Sequence, residues 1–275
     1  MKVPLPRGAM IDMPRMDSWA SAFAGYRHVV NEQRIDRWLK QFAQKHQDIA
    51  ARILDCVDFV SQEQMAAAFR SILNQLSGWN IDPNKRNGQW RFVAFSSSSG
   101  ESGDSMLHKF RLANRLNFKK YDRLFIHRSE LLQVQFGPDD NIVFVDDFAG
   151  TGRQACLAWS DSIQELLPGD PSTYLVLVAA SKIARDNINQ NTNLTVYPSI
   201  ELWEDDNIFS LKCKHFSPAE KKIILSYCMR ADSKNPKGFG DCGFVIVLAN
   251  NCPNDSIPIL HRHKSSWEGL FRRND

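Results

Sequence analysis

Apolar runs that alternate with helical segments restrict the fold of this chain more than any other feature of its sequence. WRFVAF at 90–95, NIVFVDD at 141–147 and STYLVLVAA at 172–180 predict buried strands, and a helical pattern follows each of them. The remaining predicted strands are 121–128, 194–200 and 243–250. Buried strands that alternate with helices are typical of parallel sheets. We therefore expect an α/β fold, with a mainly parallel sheet and helices on both faces.

A helical region precedes these strands. Ile35, Trp38 and Leu39 recur at helical spacing, and Ser61 followed by Gln64 has the pattern of a capping box at a helix start. A turn-rich connection then leads to the first strand. The expected divisions are a flexible tail over residues 1–20, a helical region over 21–80 and the α/β domain over 81–275.

Composition narrows the class of protein. The 275 residues are 43% hydrophobic and carry a net charge of only +3, so nucleic acid is a weakly supported partner. The first residues lack the apolar core of a secretory signal, and no apolar run has membrane-spanning length, so we expect a cytoplasmic protein without a membrane partner. The six cysteines form no CxxC pair and are expected to be reduced, and Cys213 and His215 lack zinc-site spacing.

The segment IVFVDDFAGTGRQ, residues 142–154, carries the clearest chemistry. Asp146 and Asp147 end an apolar strand, and two carboxylates in succession suit the hydroxyls of a vicinal diol or a Mg²⁺ ion. Gly150 and Gly152 permit a tight turn whose amides, with the Thr151 hydroxyl, suit a phosphate. The alternative is an ordinary strand end at which Asp147 caps the next helix. The GxxxxGK[ST] and GxGxxG patterns of other nucleotide loops are missing.

This segment resembles the phosphoribosyl-diphosphate motif of type I phosphoribosyltransferases. The resemblance implies a ribose-binding acidic pair followed by a 5′-phosphate loop, and Phe148 lies where a stacking role is plausible. The residues expected to bind phosphoribose are Asp146, Asp147, Phe148, Ala149, Gly150, Thr151, Gly152, Arg153 and Gln154.

In that family the loop after the first strand binds pyrophosphate, and the serine-rich segment after WRFVAF has the matching position. By composition alone it could equally be a solvated loop. The residues expected to form the pyrophosphate loop are Ser97, Ser98, Ser99, Gly100, Glu101, Ser102 and Gly103.

The end of the chain resembles a narrower group, the PRTase-CE-like phosphoribosyltransferase-fold effectors of bacterial conflict and anti-phage systems, retrons among them. The matching pieces are GFGD, NNCPNDSIPIL and the final W-x-x-L-F-x-R, and the resemblance covers about residues 30–273. It implies a phosphoribosyl or nucleotide ligand, Mg²⁺ as cofactor with a diphosphate, and a protein partner from the same defence operon. Asp146 and Asp147 would hold the metal directly or through water.

Departures from ordinary transferases leave two functions open. Gly150 and Gln154 stand where many salvage enzymes carry reactive or hydroxyl side chains, and residues 129–140 form a short segment for a lid. One expectation is an enzyme that transfers or removes a base, with Asp146, Asp147 and Glu101 as catalytic residues. The other is a non-catalytic nucleotide-sensing or partner-binding module. Nothing in the sequence singles out one acid or base among Glu101 and three further candidates, which are Asp104, His127 and Arg128.

Overall fold

A computed structural model describes residues 2–8, 10–96 and 102–273. The α-helices are α1 Met13–Phe23, α2 Glu32–Leu39, α3 Gln47–Cys56, α4 Gln62–Leu73, α5 Ser102–Ala113, α6 Arg153–Ala158, α7 Lys182–Asn191, α8 Pro218–Ala231 and α9 Pro258–His261. The strands are β1 Asp58–Val60, β2 Trp90–Ala94, β3 Asn141–Ala149, β4 Ser172–Ser181, β5 Leu194–Leu202, β6 Ile246–Leu248, β7 His263–Lys264 and β8 Trp267–Glu268. Short 3-10 turns cover Gln44–His46, Pro83–Lys85, Lys119–Leu124, Arg128–Gln133, Gln164–Leu166, Glu204–Asp206 and Phe239–Asp241, and Trp159–Ile163 is π-helical.

The chain forms two compact units. The central unit is Glu63–Leu202, and the terminal unit combines Met1–Gln62 with Trp203–Asp275. In the order of the sequence, the central unit therefore lies between the two segments that form the terminal unit. Both units contain parallel strands and helices, which confirms the predicted α/β class.

The central unit is built on a four-stranded parallel sheet in the order β2-β3-β4-β5. The apolar runs of these strands explain the arrangement, because parallel strands linked by helices are buried on both faces. Phe144 of β3 pairs with Val93 of β2 on one side and Leu175 of β4 on the other. The predicted strands at 90–95, 141–147, 172–180 and 194–200 are thus confirmed, with small shifts at their ends.

Helices cover both faces of this sheet. On one face, Phe144 lies in a buried cluster with Trp159 of the π-helical turn and Ile188 of α7. On the other face, the Phe110 ring of α5 packs against Phe92 of β2, with ring centroids 5.1 Å apart. The two layers of helices confirm the expectation of a sheet that is covered on both sides.

The predicted second strand, YDRLFIHR at 121–128, is wrong for most of its length. Lys119–Leu124 and Arg128–Gln133 are 3-10 turns, and only Phe125 makes a single parallel bridge, with Phe92. Tyr121 and Leu124 are buried from a 3-10 turn instead, and Phe125 and Ile126 are only half-buried. The bridge still places this segment beside β2, on the edge opposite β3.

The chain consequently leaves β2 toward one side of the sheet and leaves β3 toward the other. The connection after β2 leads through α5 to Phe125, and the connection after β3 leads through α6 to β4. Diverging connections of this kind open a crevice beyond the carboxyl ends of the two strands, and α/β proteins bind ligands there. The fold therefore directs attention to the ends of β2 and β3.

The terminal unit has a small parallel sheet of its own. Strand β6 pairs with β1, a three-residue strand that the sequence did not predict. The expected sixth strand at 243–250 is therefore shortened and does not join the main sheet. Phe59 of β1 lies opposite Val247 of β6, and the partner residues are 188 positions apart in the chain, so local periodicity carried no signal for the pairing.

An aromatic core fixes the end of the chain against the first helices. Phe23 and Phe271 have ring centroids 5.0 Å apart. Trp38 and Trp267 each donate an indole N–H to the carbonyl of Ile259, at 2.8 Å and 3.0 Å. The C-terminal Trp-Leu-Phe group is thus part of the interior of the terminal unit.

The limits of these units differ from the expected divisions at residues 20 and 80. Helix α1 occupies part of the expected tail, and Asp12 caps it by accepting a hydrogen bond from the amide of Arg15 at 3.1 Å. Trp19 of this helix is buried and donates to Asp55 at 3.0 Å. Within the described residues, no helix is both long enough and apolar enough to cross a membrane.

The terminal unit also buries a carboxyl group. Asp255 is 7% exposed, and the thiol of Cys242 donates to its Oδ1 at 3.7 Å. Burial raises the pKa of Asp255 from 3.8 to about 6, because the charged form loses water. The native state therefore prefers the protonated form across a pH range in which the unfolded chain is ionised.

We expect the free energy of unfolding to fall as pH rises through about 6, because the buried carboxyl group of Asp255 must then ionise. The stabilisation is fully present below the unfolded pKa of 3.8 and is lost as pH passes the folded value. Between about pH 5 and about pH 7.5 the wild type should lose about 1 kcal/mol more unfolding free energy than Asp255→Asn. Urea unfolding of both proteins at the two pH values, followed by circular dichroism, measures this, and equal losses would contradict the prediction.

Candidate functional site

Strand β3 extends further than its apolar run suggests. It continues through Asp146 and Asp147 to Ala149, so the expectation that the aspartates end the strand is wrong. Pairing with β4 continues to Ala149, opposite Ala180, whereas the register with β2 stops at Val145, opposite Ala94. The last four residues of β3 are thus neighboured by β4 on one side. On the other side they lie beyond the end of β2, so that edge of β3 is open.

The two aspartates lie on opposite faces of the sheet, since successive strand residues alternate. Asp146 follows Phe144 on the face that carries α6 and α7, and Leu177 of β4 lies beside it. Asp147 follows Val145 on the face that carries α5. Both side chains are half-buried, and Asp146 Oδ1 accepts a hydrogen bond from the amide of Asp147 at 2.9 Å. A ligand that contacts both carboxylates must therefore lie across the open edge of β3.

The predicted phosphate loop follows β3 directly. Gly150 is buried, Thr151 is half-buried, and Arg153 and Gln154 are exposed. The Thr151 hydroxyl accepts from the amide of Arg153 at 3.3 Å, and the first backbone bond of α6 runs from Cys156 to Gly152 at 3.0 Å. The amides that precede this bond have no partner within the helix. The amide of Arg153 already donates to Thr151, and the other amides at this helix start could donate to an anion.

Helix α7 holds the loop in place through residues that sequence reasoning missed. The Ser181 hydroxyl donates to the carbonyl of Gly150 at 2.5 Å and accepts from the amide of Ala184 at 2.9 Å, so one side chain caps α7 and fixes the loop. The Asn187 amide donates to the carbonyl of Thr151 at 2.9 Å. A serine before a helical run is a recognisable N-cap signal, but its second bond depends on the tertiary fold.

Gly152 is required by both backbone conformation and space. Its φ of +73° lies in the left-handed region, and a Cβ there would stand 2.8 Å from the carbonyl oxygen of Ala184. Only glycine allows the loop and α7 to approach so closely. The glycine predicted from the motif thus has a structural role in addition to any contact with a ligand.

The expected pyrophosphate loop lies mostly outside the described residues, which exclude Ser97, Ser98, Ser99, Gly100 and Glu101. Its two ends are described. Helix α5 begins at Ser102, and a Cβ on Gly103 would stand 2.3 Å from the hydroxyl oxygen of Ser96. The ends of the loop therefore meet closely, beyond the carboxyl end of β2 and beside β3.

The three further candidate acids and bases lie in different surroundings. Asp104 and His127 are exposed, and the amide of His127 donates to Glu130 at 2.9 Å. Arg128 instead binds the carbonyls of Phe95 and Ala158, both at 3.3 Å, and contacts the Ser162 hydroxyl. Arg128 thereby ties the segment after Phe125 to β2 and α6.

Two cations near the loop form ion pairs. Lys182 binds Asp186 at 2.6 Å, and Arg185 binds Glu201 at 2.8 Å. These pairs are on or beside α7, and they hold both cationic groups against carboxylates. Among the described residues, no group of three or more His, Cys, Asp or Glu side chains is placed to hold a metal ion.

A cavity of about 590 Å³ lies elsewhere, in the terminal unit. Several of its polar groups bind one another: Arg7 and Arg52 donate to Glu220 Oε1 at 2.8 Å and 2.7 Å. Burial alone would raise the pKa of Glu220, but hydrogen bonds from Arg7, Ser217 and Arg52 outweigh it and hold the pKa at about 2. We interpret this group as structural, since its central carboxylate is already neutralised.

We expect Gly152→Ala to lower the unfolding free energy by about 1–3 kcal/mol, because it adds a Cβ at positive φ and forces α7 away. Gly137→Ala is the matched control, since its Cβ would stand 3.9 Å from the nearest atom, in the same unit. Urea unfolding measures both variants. A Gly152→Ala variant as stable as Gly137→Ala would show that the loop is not held as described.

Comparison with known proteins agrees with this architecture. A family model described as PRTase-CE matches residues 35–273, which include all of the central unit and most of the terminal unit. No curated protein and no solved structure gives a significant match. The matched range contains the parallel sheet, the strand-end aspartates and the glycine loop, together with the C-terminal core. Because the match spans most of its length, the chain belongs to the PRTase-CE family, with a phosphoribosyltransferase-like fold.

Proposed function

We propose that the central unit binds a phosphoribosyl or nucleotide ligand beyond the ends of β2 and β3, as an effector of a prokaryotic defence system. The observation that carries the ligand proposal is the position of Asp146, Asp147 and the following glycine loop at the point where the connections of the sheet diverge. The defence role rests on the resemblance of the C-terminal block to conflict-system proteins, and a protein partner from the same operon belongs to that part of the proposal.

The arrangement of acceptors and donors supports this class of ligand. Carboxylates accept hydrogen bonds from the two hydroxyls of a ribose, and the amides after Gly150 donate to its 5′-phosphate. The half-buried aspartates and the loop are separated by only two residues, Phe148 and Ala149. A sugar phosphate that lies across the open edge of β3 would contact both groups at once.

A reaction at this site would occur at ribose C1′. A base nitrogen or a water oxygen forms a bond to C1′ while the bond from C1′ to pyrophosphate, or to the departing base, breaks. Positive charge develops on the sugar during this exchange. Asp146 and Asp147 hold the sugar and stabilise that charge, because fixed carboxylates act strongly where water is excluded.

The donor set is compatible with Mg²⁺ carried by a diphosphate ligand. Magnesium commonly takes one or two protein carboxylates and completes its shell with water and phosphate oxygens. Asp146 and Asp147 supply two such carboxylates, directly or through water. When bound, the ion would neutralise the departing pyrophosphate.

A non-catalytic sensing module is the second candidate, and one observation favours it. The segment that would form a lid is short and anchored: Leu131 is fully buried, and Arg128 is bonded to the ends of β2 and α6. A lid that covers a reacting centre must move, and an anchored turn opposes that movement. In this alternative the ligand binds and no bond is broken.

Calorimetric titration with phosphoribosyl diphosphate and Mg²⁺ tests the binding proposal. The wild type should bind, and the affinity of Asp146→Asn/Asp147→Asn should be at least about tenfold lower. Each charged hydrogen bond contributes about 1.5–3 kcal/mol. Asp139→Asn/Asp161→Asn is the matched control, because both aspartates are exposed in the same unit and the charge change is equal.

Absence of binding by the wild type, or equal binding by both double variants, would contradict the proposed site. Retained binding in the control alone would support it. Release of pyrophosphate or free base by the wild type, lost in Asp146→Asn/Asp147→Asn, would then exclude the non-catalytic candidate. Binding without any release, across nucleotide and diphosphate ligands, would exclude the enzyme.

A further inference from the structure

Two distant segments bring arginines together in the terminal unit. The Tyr26 hydroxyl donates to the carbonyl of Arg272 at 2.7 Å, and the Arg34 guanidinium donates to the carbonyl of Gly269 at 3.4 Å. These bonds join the connection between α1 and α2 to the last described residues of the chain. We use the term arginine patch for the group that they assemble, which consists of Arg27, Arg34, Arg37, Arg272 and Arg273.

The patch presents charge to solvent. Arg27, Arg37 and Arg272 are exposed, whereas Arg34 and Arg273 are half-buried. The guanidinium of Arg27 donates to the carbonyl of Asn250 at 3.2 Å, and that of Arg273 to the carbonyl of Cys252 at 2.9 Å. Carbonyls orient these side chains without neutralising them. Across residues 2–8, 10–96 and 102–273, Arg27, Arg34, Arg37 and Arg273 form no ion pair with a carboxylate.

The charges of the patch act on one another. Burial lowers the pKa of His28, and Arg27, Arg34 and Arg272 lower it further. Burial likewise lowers the pKa of Arg34; Glu268 and Tyr26 oppose this effect, and Arg37 and Arg272 add to it. These effects show that like charges are held near one another. Such a concentration of positive charge attracts a polyanion and is relieved when one binds.

We propose that the arginine patch binds the phosphate backbone of a nucleic acid. Guanidinium groups match phosphate oxygens in shape and charge, and several at fixed positions can follow successive phosphates. Backbone carbonyls already orient Arg27, Arg34 and Arg273, so less side-chain freedom is lost on binding. Contacts of this kind are independent of base sequence and sensitive to salt.

The surroundings favour nucleic acid over an acidic protein. Protein interfaces are built around buried aromatic or aliphatic anchors and are depleted of charge at their centre. At the arginine patch the aromatic rings of Tyr26 and Phe271 are buried, and Val29 is a single large apolar side chain that is exposed, at 75%. Interfaces with nucleic acid are more polar and more positively charged, as this surface is.

Fluorescence anisotropy with the full-length protein and short labelled single-stranded DNA, RNA and duplex DNA tests the proposal. The variant is Arg27→Gln/Arg37→Gln/Arg272→Gln, which changes exposed side chains only. The control is Lys119→Gln/Lys120→Gln/Arg123→Gln, a run of exposed cations with the same charge change. Circular dichroism of all three proteins checks that each is folded.

We expect the wild type and the control to bind at least one of the three nucleic acids, and the patch variant to bind it about tenfold more weakly or worse. The slope of log affinity against log salt should fall in magnitude by about 2, because three contacts to a strand are removed. Weak binding by all proteins, or equal losses in the patch variant and the control, would overturn the proposal. If poly-glutamate displaces the labelled nucleic acid more readily than an unlabelled oligonucleotide does, the proposal is overturned and the patch is better explained as a site for an acidic protein.

The anisotropy test of the arginine patch and the calorimetric test of the proposed function can fail independently of each other. The patch lies in the terminal unit, and the calorimetric test concerns Asp146 and Asp147 of the central unit. The patch variant should therefore bind phosphoribosyl diphosphate as the wild type does.

Discussion

The placement of β3 between β2 and β4 is the constraint on which the candidate site depends. Because β2 ends opposite Val145 while β4 continues beside Ala149, the last residues of β3 keep one strand partner and gain one open edge. That difference in strand length gives two half-buried carboxylates a fixed backbone and access to a ligand. An equal length of β2 would have covered the edge, and a shorter β4 would have left the aspartates on a mobile loop.

The loop after β3 has its shape before any ligand binds. Ser181 and Asn187 hold two of its carbonyls, and the absence of a Cβ at Gly152 lets α7 approach. Each neutral hydrogen bond contributes only about 1 kcal/mol, but together they restrict a segment of five residues. A loop that is already ordered loses little entropy when it binds a phosphate, so more of the contact energy appears as affinity. The same anchoring suits either binding followed by chemistry or binding alone.

Sequence predicted the central sheet well, because its four long strands are apolar throughout and periodicity is a local property. It also predicted that the aspartates and glycines lie near the end of β3, although the strand continues past Asp147 to Ala149. It failed where distant residues decide the outcome. Strand β1 exists because β6 pairs with it, Ser181 binds Gly150 because β3 and β4 are neighbours, and the arginine patch forms only when both ends of the chain meet. YDRLFIHR failed for a different reason, since Tyr121 and Leu124 are buried from a 3-10 turn rather than from a strand.

Because the central unit lies between the two segments of the terminal unit in the sequence, the ribosome completes the central unit first. All strands of the central sheet have been synthesised once Leu202 is made, whereas β1 waits for β6 and the first helices wait for Trp267 and Phe271. During translation the nascent chain therefore holds a sheet that can form early and an N-terminal segment with unsatisfied apolar surface. A product that stops after Leu202 would keep the strands and aspartates of the candidate site and expose the interior side chains of α1 and α2. Chaperones and proteases would therefore act on such a fragment, even though the residues of its glycine loop are intact.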